Sequence, residues 1–261
     1  MGDFHQSNRV IKEKYRQELF DQVTKQVRPE KFSSLKTTNP QEFYLSFKNC
    51  VGPIINTEVQ RIEKNLTPTS DSHLLLLKIS TLVDTILQAA FDSSIWLHNL
   101  TLQKQLHKKD IPIAIIARGG YGREEIYLQS NIDVQIISSN DQTEDTKQIV
   151  KHLEYLFVHQ NIFQTSTNTS YTSLNSLERE LNGGRIADLC SLLEGRLVAG
   201  DSETYSQTLN IVKKISTLKK DNLISYCQEH KNYYDVSNTV FQQEPNVKEE
   251  LSRLYWALVL A

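Results

Sequence analysis

One stretch, Ile111 to Ser138 (IPIAIIARGGYGREEIYLQSNIDVQIIS), limits what this chain can fold into more than any other. It reads as strand, glycine turn, short helical or loop segment, strand. Ile111 to Ala117 is short, apolar and β-branched, which favours a buried strand over a helix. Pro112 fits only near its start, where a missing N–H donor is tolerated. Arg118-Gly119-Gly120-Tyr121-Gly122-Arg123 follows at once, and its glycines let the backbone turn tightly and approach a ligand closely. In the second run, Ile132 to Ile137, Asp133 and Gln135 share one face while Ile132, Val134 and Ile136 share the other. A carboxylate and an amide therefore project from a strand toward the glycine turn.

That combination suits a nucleoside triphosphate. Backbone N–H groups of a glycine turn, here Gly119, Gly120 and Gly122, can hold phosphate oxygens. A carboxylate on the adjacent strand, Asp133, can hold Mg²⁺, which prefers oxygen ligands and phosphates. Arg123 can reach a phosphate, or it can pair with Glu124 or Glu125. The same residues also suit a plain strand–turn–strand in which Asp133 caps or pairs, because a glycine-rich turn alone is a weak signal. No Lys-Ser/Thr follows the glycines, so this is not a Walker loop, and the spacing is not G-x-G-x-x-G.

The motif Gly119-Gly120-Tyr121-Gly122-Arg123-Glu124-Glu125-Ile126, followed by Ser130-Asn131-Ile132-Asp133, resembles the amino-terminal nucleotidyltransferase domain of the bacterial PII uridylyltransferase/uridylyl-removing enzymes. Those enzymes belong to the DNA polymerase beta-like superfamily and read GGYGRGEL, then SDIDLLIL. Leu192 to Asp201 and Glu244-Pro245-Asn246-Val247-Lys248-Glu249 are similar to two later family motifs, in the right order. The resemblance spans roughly residues 85 to 261. It implies an α+β fold with a small mixed sheet inside a helix-rich chain. It also implies transfer of a nucleoside monophosphate, with UTP and Mg²⁺ as donor and cofactor and a PII-like signalling protein as acceptor.

The departures bear on activity. The family's paired carboxylates are D-x-D; here Asn131 stands in the first place and only Asp133 remains. Asn131 offers a metal one neutral oxygen, a poor substitute for a charged ligand on Mg²⁺. The superfamily's third carboxylate comes from a later strand, yet no Asp or Glu lies between Gln160 and Leu174, and Gln164 falls near the expected place. A G-G-L-R-D segment is replaced by Glu250 to Leu254 without its glycines. The family's HD and ACT domains have no counterpart in the chain.

The chain divides into a helical region (1–108), a nucleotidyltransferase-like core (109–175) and a second helical region (176–261). Its 261 residues suffice for a substantial core, and 39% hydrophobic with 23% charged residues is ordinary for a globular protein. A net charge of −2 provides no global basic field, so no nucleic-acid partner is expected. Cys50, Cys190 and Cys227 have neither zinc nor disulfide spacing, which points to a reducing cytoplasm. No signal peptide opens the chain, Gln6 breaks a myristoylation motif, and no apolar run approaches transmembrane length, so no membrane is expected.

Helices are expected at 8–28, 40–50, 53–65, 73–105, 143–159, 174–180, 186–199, 201–215, 221–234 and 247–260. The run 73–105 is read as one long helix that can break at Asp92-Ser93-Ser94. One strand or a hairpin is expected at 162–172, and a short strand or extended piece at 239–242. Arg118 is read as exposed, Arg196 as the helical ion-pair partner of Glu194, and Trp96 and Trp256 as core. His98, His107, His152 and His159 are read as solvated or helix-face residues. Three functions compete: an active nucleotidyltransferase, a degenerate relative serving as a nucleotide-binding or protein-interaction regulatory module, and a helical scaffold unrelated to nucleotides.

Overall fold

The computed structural model describes residues 2–27, 39–65, 72–139, 143–160, 162–163 and 165–233. Gln164, Trp256, the 239–242 strand, the 247–260 helix and the Glu244-Pro245 motif lie outside the described residues.

Three long helices come first: α1 (Gly2–Gln26), α2 (Pro40–Lys64) and α3 (Ser72–Leu102). The two helices expected at 40–50 and 53–65 are one, with Pro53 inside it. Proline removes one backbone donor and crowds the preceding turn. The buried stripe Phe43, Phe47, Val51, Ile54, Ile55 and Ile62 runs through the break and outweighs that loss. Asn39 caps the start, its side chain accepting from Gln41 N at 3.1 Å. The 73–105 helix also continues through Asp92-Ser93-Ser94, because Ser94 Oγ donates to Ala90 O at 2.7 Å instead of breaking the turn.

In length and composition, His73–Leu102 can cross a membrane, contrary to the expectation that no run approaches that size. Here 67% of its apolar window is buried within the fold, with Leu82, Ile86, Leu87, Ala90 and Phe91 at 0–1% exposure.

The sheet comprises β1 (Ile113–Ala117), β2 (Ile132–Ser138), β3 (Thr167–Ser173) and β4 (Arg196–Gly200), in the order β3-β2-β1-β4. β1 pairs antiparallel with β2 and β4, and β2 pairs parallel with β3, which makes the sheet mixed as expected. Between β1 and β2 lies one helical turn, α4 (Gly119–Gly122). α5 (Glu144–Glu154) runs into a π-helical turn at Tyr155–His159. After β3 come α6 (Leu174–Gly183), α7 (Ile186–Leu193), α8 (Ser202–Leu218) and α9 (Lys220–Tyr233).

The helix expected over 186–199 is thus two elements: it ends at Leu193, and Arg196–Gly200 forms the fourth strand. The local pattern is ambiguous for a short apolar run. Pairing with β1, some eighty residues earlier in the chain, decides it. The sheet therefore takes a strand from beyond residue 175.

Both faces of the sheet are covered. Ile113, Ile115, Ala117, Ile132, Val134 and Ile136 join the large core with α1, α2, α3 and α5. Ala114, Ile116 and Ile137 join a smaller core with α6, α7 and α8. Every residue of β1 is at most 1% exposed. Each fully buried isoleucine contributes about 1.5–3 kcal/mol relative to exposure, so β1 is the anchor of both layers.

Candidate functional site

Asp133 and Gln135 lie on the same face of β2 as Ile137, the face that α6 and α8 cover. The register places Asp133 opposite Asn168 and Gln135 opposite Ser170. Asn168 Nδ2 donates to Asp133 Oδ1 at 2.8 Å, in an exposed position. The following strand therefore faces Asp133 with the neutral Asn168; Gln164, the expected neighbour, lies outside the described residues. Asp133 is the one carboxylate on β2 and β3. Asn131 is exposed in the loop entering β2. Ser130, the first residue of the S-x-I-D motif, is a loop cap: its Oγ accepts from Tyr127 N at 2.9 Å.

The glycine turn sits beside this corner, because Arg118 N donates to Asp133 O at 3.0 Å. Gly119 has φ +54, where side chains are strained, and a Cβ there would meet nothing within 4 Å. Its surface is open. Gly122 is different: a Cβ would lie 2.6 Å from Glu194 O and 3.0 Å from Ala117 O. Gly122 lets the turn pack on the backbone of β1 and the α7–β4 junction, and its N–H donates to Arg118 O. It therefore has a packing role in the turn.

Arg118, expected to be exposed, is half-buried, and its Nη1 donates to Gln135 Oε1 at 2.9 Å. Ser170 Oγ donates to the same oxygen at 2.7 Å, and Gln135 Nε2 donates to Ser170 O at 3.2 Å. Burial lowers the Arg118 pKa from its ordinary value, while the charges of Asp133 and Asp188 oppose that shift.

On the inner side of the turn the polar groups are packed into ion pairs. Tyr121, 1% exposed, donates its hydroxyl to Asp84 Oδ1 of α3 at 2.6 Å. Arg196 grips Asp84 with two bonds of 2.8 Å and stacks over the Tyr121 ring at 5.1 Å. Its expected helical partnership with Glu194 does not form, since Arg196 is on a strand. Glu194 pairs with Arg123 instead, and Arg123 Nε also donates to Glu125 at 2.7 Å. Burial alone would lower the Arg123 pKa, but Glu125 and Glu194 outweigh it and leave it raised. A phosphate would have to displace these carboxylates to reach Arg123, whose side chain is 7% exposed. Burial pushes the Glu194 carboxyl up to about 7 against the pull of Arg123, and its Oε1 has no hydrogen-bond partner among the described residues. Glu124 holds φ +62, rare outside glycine, with its carboxylate paired to Lys12 and 3.7 Å from Arg196.

Asp84 was missed in the sequence. Its signal was a lone carboxylate within the apolar run Leu82-Val83-Asp84-Thr85-Ile86 of a core helix, where a charge needs a partner. Two histidines also depart from expectation. His98 and His152 are 1% and 8% exposed; His98 Nε2 meets Asp145 Oδ1 at 2.9 Å, and His152 Nδ1 meets the Tyr44 hydroxyl at 2.7 Å. Burial drives the His152 pKa down to about 4, which keeps the ring neutral.

Among the described residues no three His, Cys, Asp or Glu gather as a metal site. The expected metal ligands were Asp133 and Asn131. Around Asp133 the donors are amides and a hydroxyl, and a guanidinium stands beside them. With Asp133 as its one charged oxygen ligand, that set is a poor fit to a pair of Mg²⁺ ions, each of which ordinarily takes one or two carboxylates beside the substrate phosphates.

No family model matches the chain. Its curated homologues are bifunctional uridylyltransferase/uridylyl-removing enzymes, at distances consistent with the resemblance carried by the motifs. The enzyme of Pseudomonas savastanoi pv. phaseolicola is 29% identical over 171 residues, covering 64% of this chain and 17% of the relative. That of Pasteurella multocida is 27% identical over 157 residues, covering 57% and 18%. That of Erythrobacter litoralis is 24% identical over 208 residues, covering 74% and 21%. The chain thus matches about a fifth of the length of these relatives. At the level of the family, the homology supports a nucleotidyltransferase-like function.

Proposed function

We propose that the chain is a nucleotide-binding relative of the uridylyltransferases in which nucleotidyl transfer is weak or lost. The observation that carries this reading is the pairing of Asp133 with Asn168 at the open corner beside Gly119. UTP is the favoured nucleotide, because the relatives are named for uridylyl transfer. A protein hydroxyl is the acceptor of any residual transfer, with a PII-like signalling protein as first candidate. Asp133 is the group available to take a proton from that hydroxyl. A reducing, cytoplasmic setting is the simpler one for the three widely spaced cysteines Cys50, Cys190 and Cys227.

A second reading is a nucleotidyltransferase fold kept for protein contacts. It is favoured by the engagement of Arg123 with two carboxylates, which compete with any phosphate for that guanidinium. Labelled UTP and ATP with a PII-like acceptor separate the two, using the native chain beside Asn131→Asp and Asp133→Ala. We expect the native chain to bind nucleotide with little or no transfer, and transfer to rise in Asn131→Asp. Robust native transfer abolished by Asp133→Ala would refute the loss of activity. Failure of every variant to bind nucleotide would leave the protein-contact reading.

A further inference from the structure

We propose that Arg118 takes the place of a divalent cation at this corner, so that a nucleoside triphosphate is held there without metal. This rests on the nucleotide-binding reading and states how the ligand's charge is met.

A triphosphate brings several negative charges to its site. A site lined by paired carboxylates repels it until metal ions intervene. Here that repulsion is nearly absent. Asp133 is the one carboxylate on β2 and β3, its register partner is Asn168, and Asn131 precedes it by two residues. With one carboxylate in place of three, the need for a compensating metal largely disappears.

A fixed positive charge already stands in the corner. Arg118 is adjacent in sequence to the open Gly119, and its backbone N–H bonds the Asp133 carbonyl. Its guanidinium is aimed by Gln135, which is 4% exposed and itself held by Ser170. An amide orients a guanidinium without neutralising it. Arg123 and Arg196 each bond carboxylates directly, whereas Arg118 has none within ion-pairing distance among the described residues. Arg185, which also faces this region, is held by Asp188 at 3.1 Å. The Arg118 Nε is buried and lacks a hydrogen-bond partner among the described residues. A buried donor left open is unfavourable, and a ligand oxygen reached by a small movement of the side chain would satisfy it. A planar guanidinium matches phosphate oxygens in geometry as well as charge.

The test is calorimetry of the full chain with UTP, in EDTA and in excess Mg²⁺. The proposal expects binding in EDTA within about threefold of that in Mg²⁺, and Arg118→Gln to weaken EDTA binding about tenfold or more. Asn168→Asp changes an exposed residue and restores a second carboxylate opposite Asp133. It should weaken metal-free binding and make binding depend on Mg²⁺. Thermal melts establish that each variant is folded; if Arg118→Gln is not, Asn168→Asp decides. Native binding that requires Mg²⁺ overturns the proposal and leaves the nucleotide reading standing. Unchanged EDTA binding in a folded Arg118→Gln, or in Asn168→Asp, also overturns it. No binding in either buffer overturns both.

Discussion

The glycine turn has two sides that have been built to opposite specifications. Its inner side packs Tyr121 and Gly122 against α3, β1 and the α7–β4 junction, and every charge there has an opposite charge beside it: Asp84 with Arg196, Glu194 with Arg123, Glu124 with Lys12. Its outer side, beyond Gly119, holds one carboxylate, several amides and a guanidinium with no direct counter-ion among the described residues. The GGYGR motif therefore divides by role. Its tyrosine, third glycine and arginine secure the turn, while its first glycine faces the open corner. Preservation of such a motif reports that the scaffold is held, and is a weaker statement about chemistry, which depends on the carboxylates across the corner.

The largest effect is expected where the inner side is broken. Asp84→Ala removes the carboxylate that Arg196 and the Tyr121 hydroxyl share, leaving Arg196 with the longer approach to Glu124 at 3.7 Å as its one carboxylate contact, and should lower stability by about 3 kcal/mol. Asp133→Ala removes a half-buried carboxylate whose partner is an exposed amide, and should stay within about 0.5 kcal/mol. Urea denaturation of both variants makes the comparison; similar losses would erase the distinction between the two sides.

Next is Gly122→Ala, whose new methyl would meet backbone oxygens of Glu194 and Ala117 that cannot swing away. A loss of about 2 kcal/mol is expected. Denaturation midpoints at or above the native value would show that the turn has more room than this packing implies.

The smallest effect is the pH dependence carried by Glu194. Its folded pKa is raised to about 7 from an ordinary 4.5, so the folded protein binds the proton more tightly. Its contribution is fully present below pH 4.5 and is lost as pH rises through 7, on the order of 2 kcal/mol across that window. Glu194→Gln removes that dependence. The native chain should therefore lose stability relative to this variant between pH 5 and pH 8. Measuring against the variant cancels the contribution of His152, whose depressed pKa acts in the reverse sense as pH falls. Parallel profiles for the two proteins would show that Glu194 titrates normally.

Much of this fold was legible because its signals are local. β1, the glycine turn and β2 follow from a β-branched run, clustered glycines and a period-two alternation. The long helices follow from their apolar stripes, even where Pro53 suggested a break that burial overrides. What could not be read depends on distant pairing. Arg196–Gly200 resembles a helix tail until β1 claims it as a strand. That Asn168 stands opposite Asp133 follows from the parallel register of β2 and β3, which no local spacing gives. Arg118 looked like a surface arginine because nothing local reveals that Gln135 orients it from the neighbouring strand.

Asp84 has one more consequence, which concerns how α3 is handled as it is made. A helix of this length and apolarity is a candidate for lateral partition into a bilayer. An aspartate near the centre of such a segment opposes insertion by about 2.5–3.5 kcal/mol. The carboxylate that clamps the glycine turn in the folded chain thus also biases the nascent helix away from lipid, and that bias operates before Tyr121 or Arg196 has been synthesised.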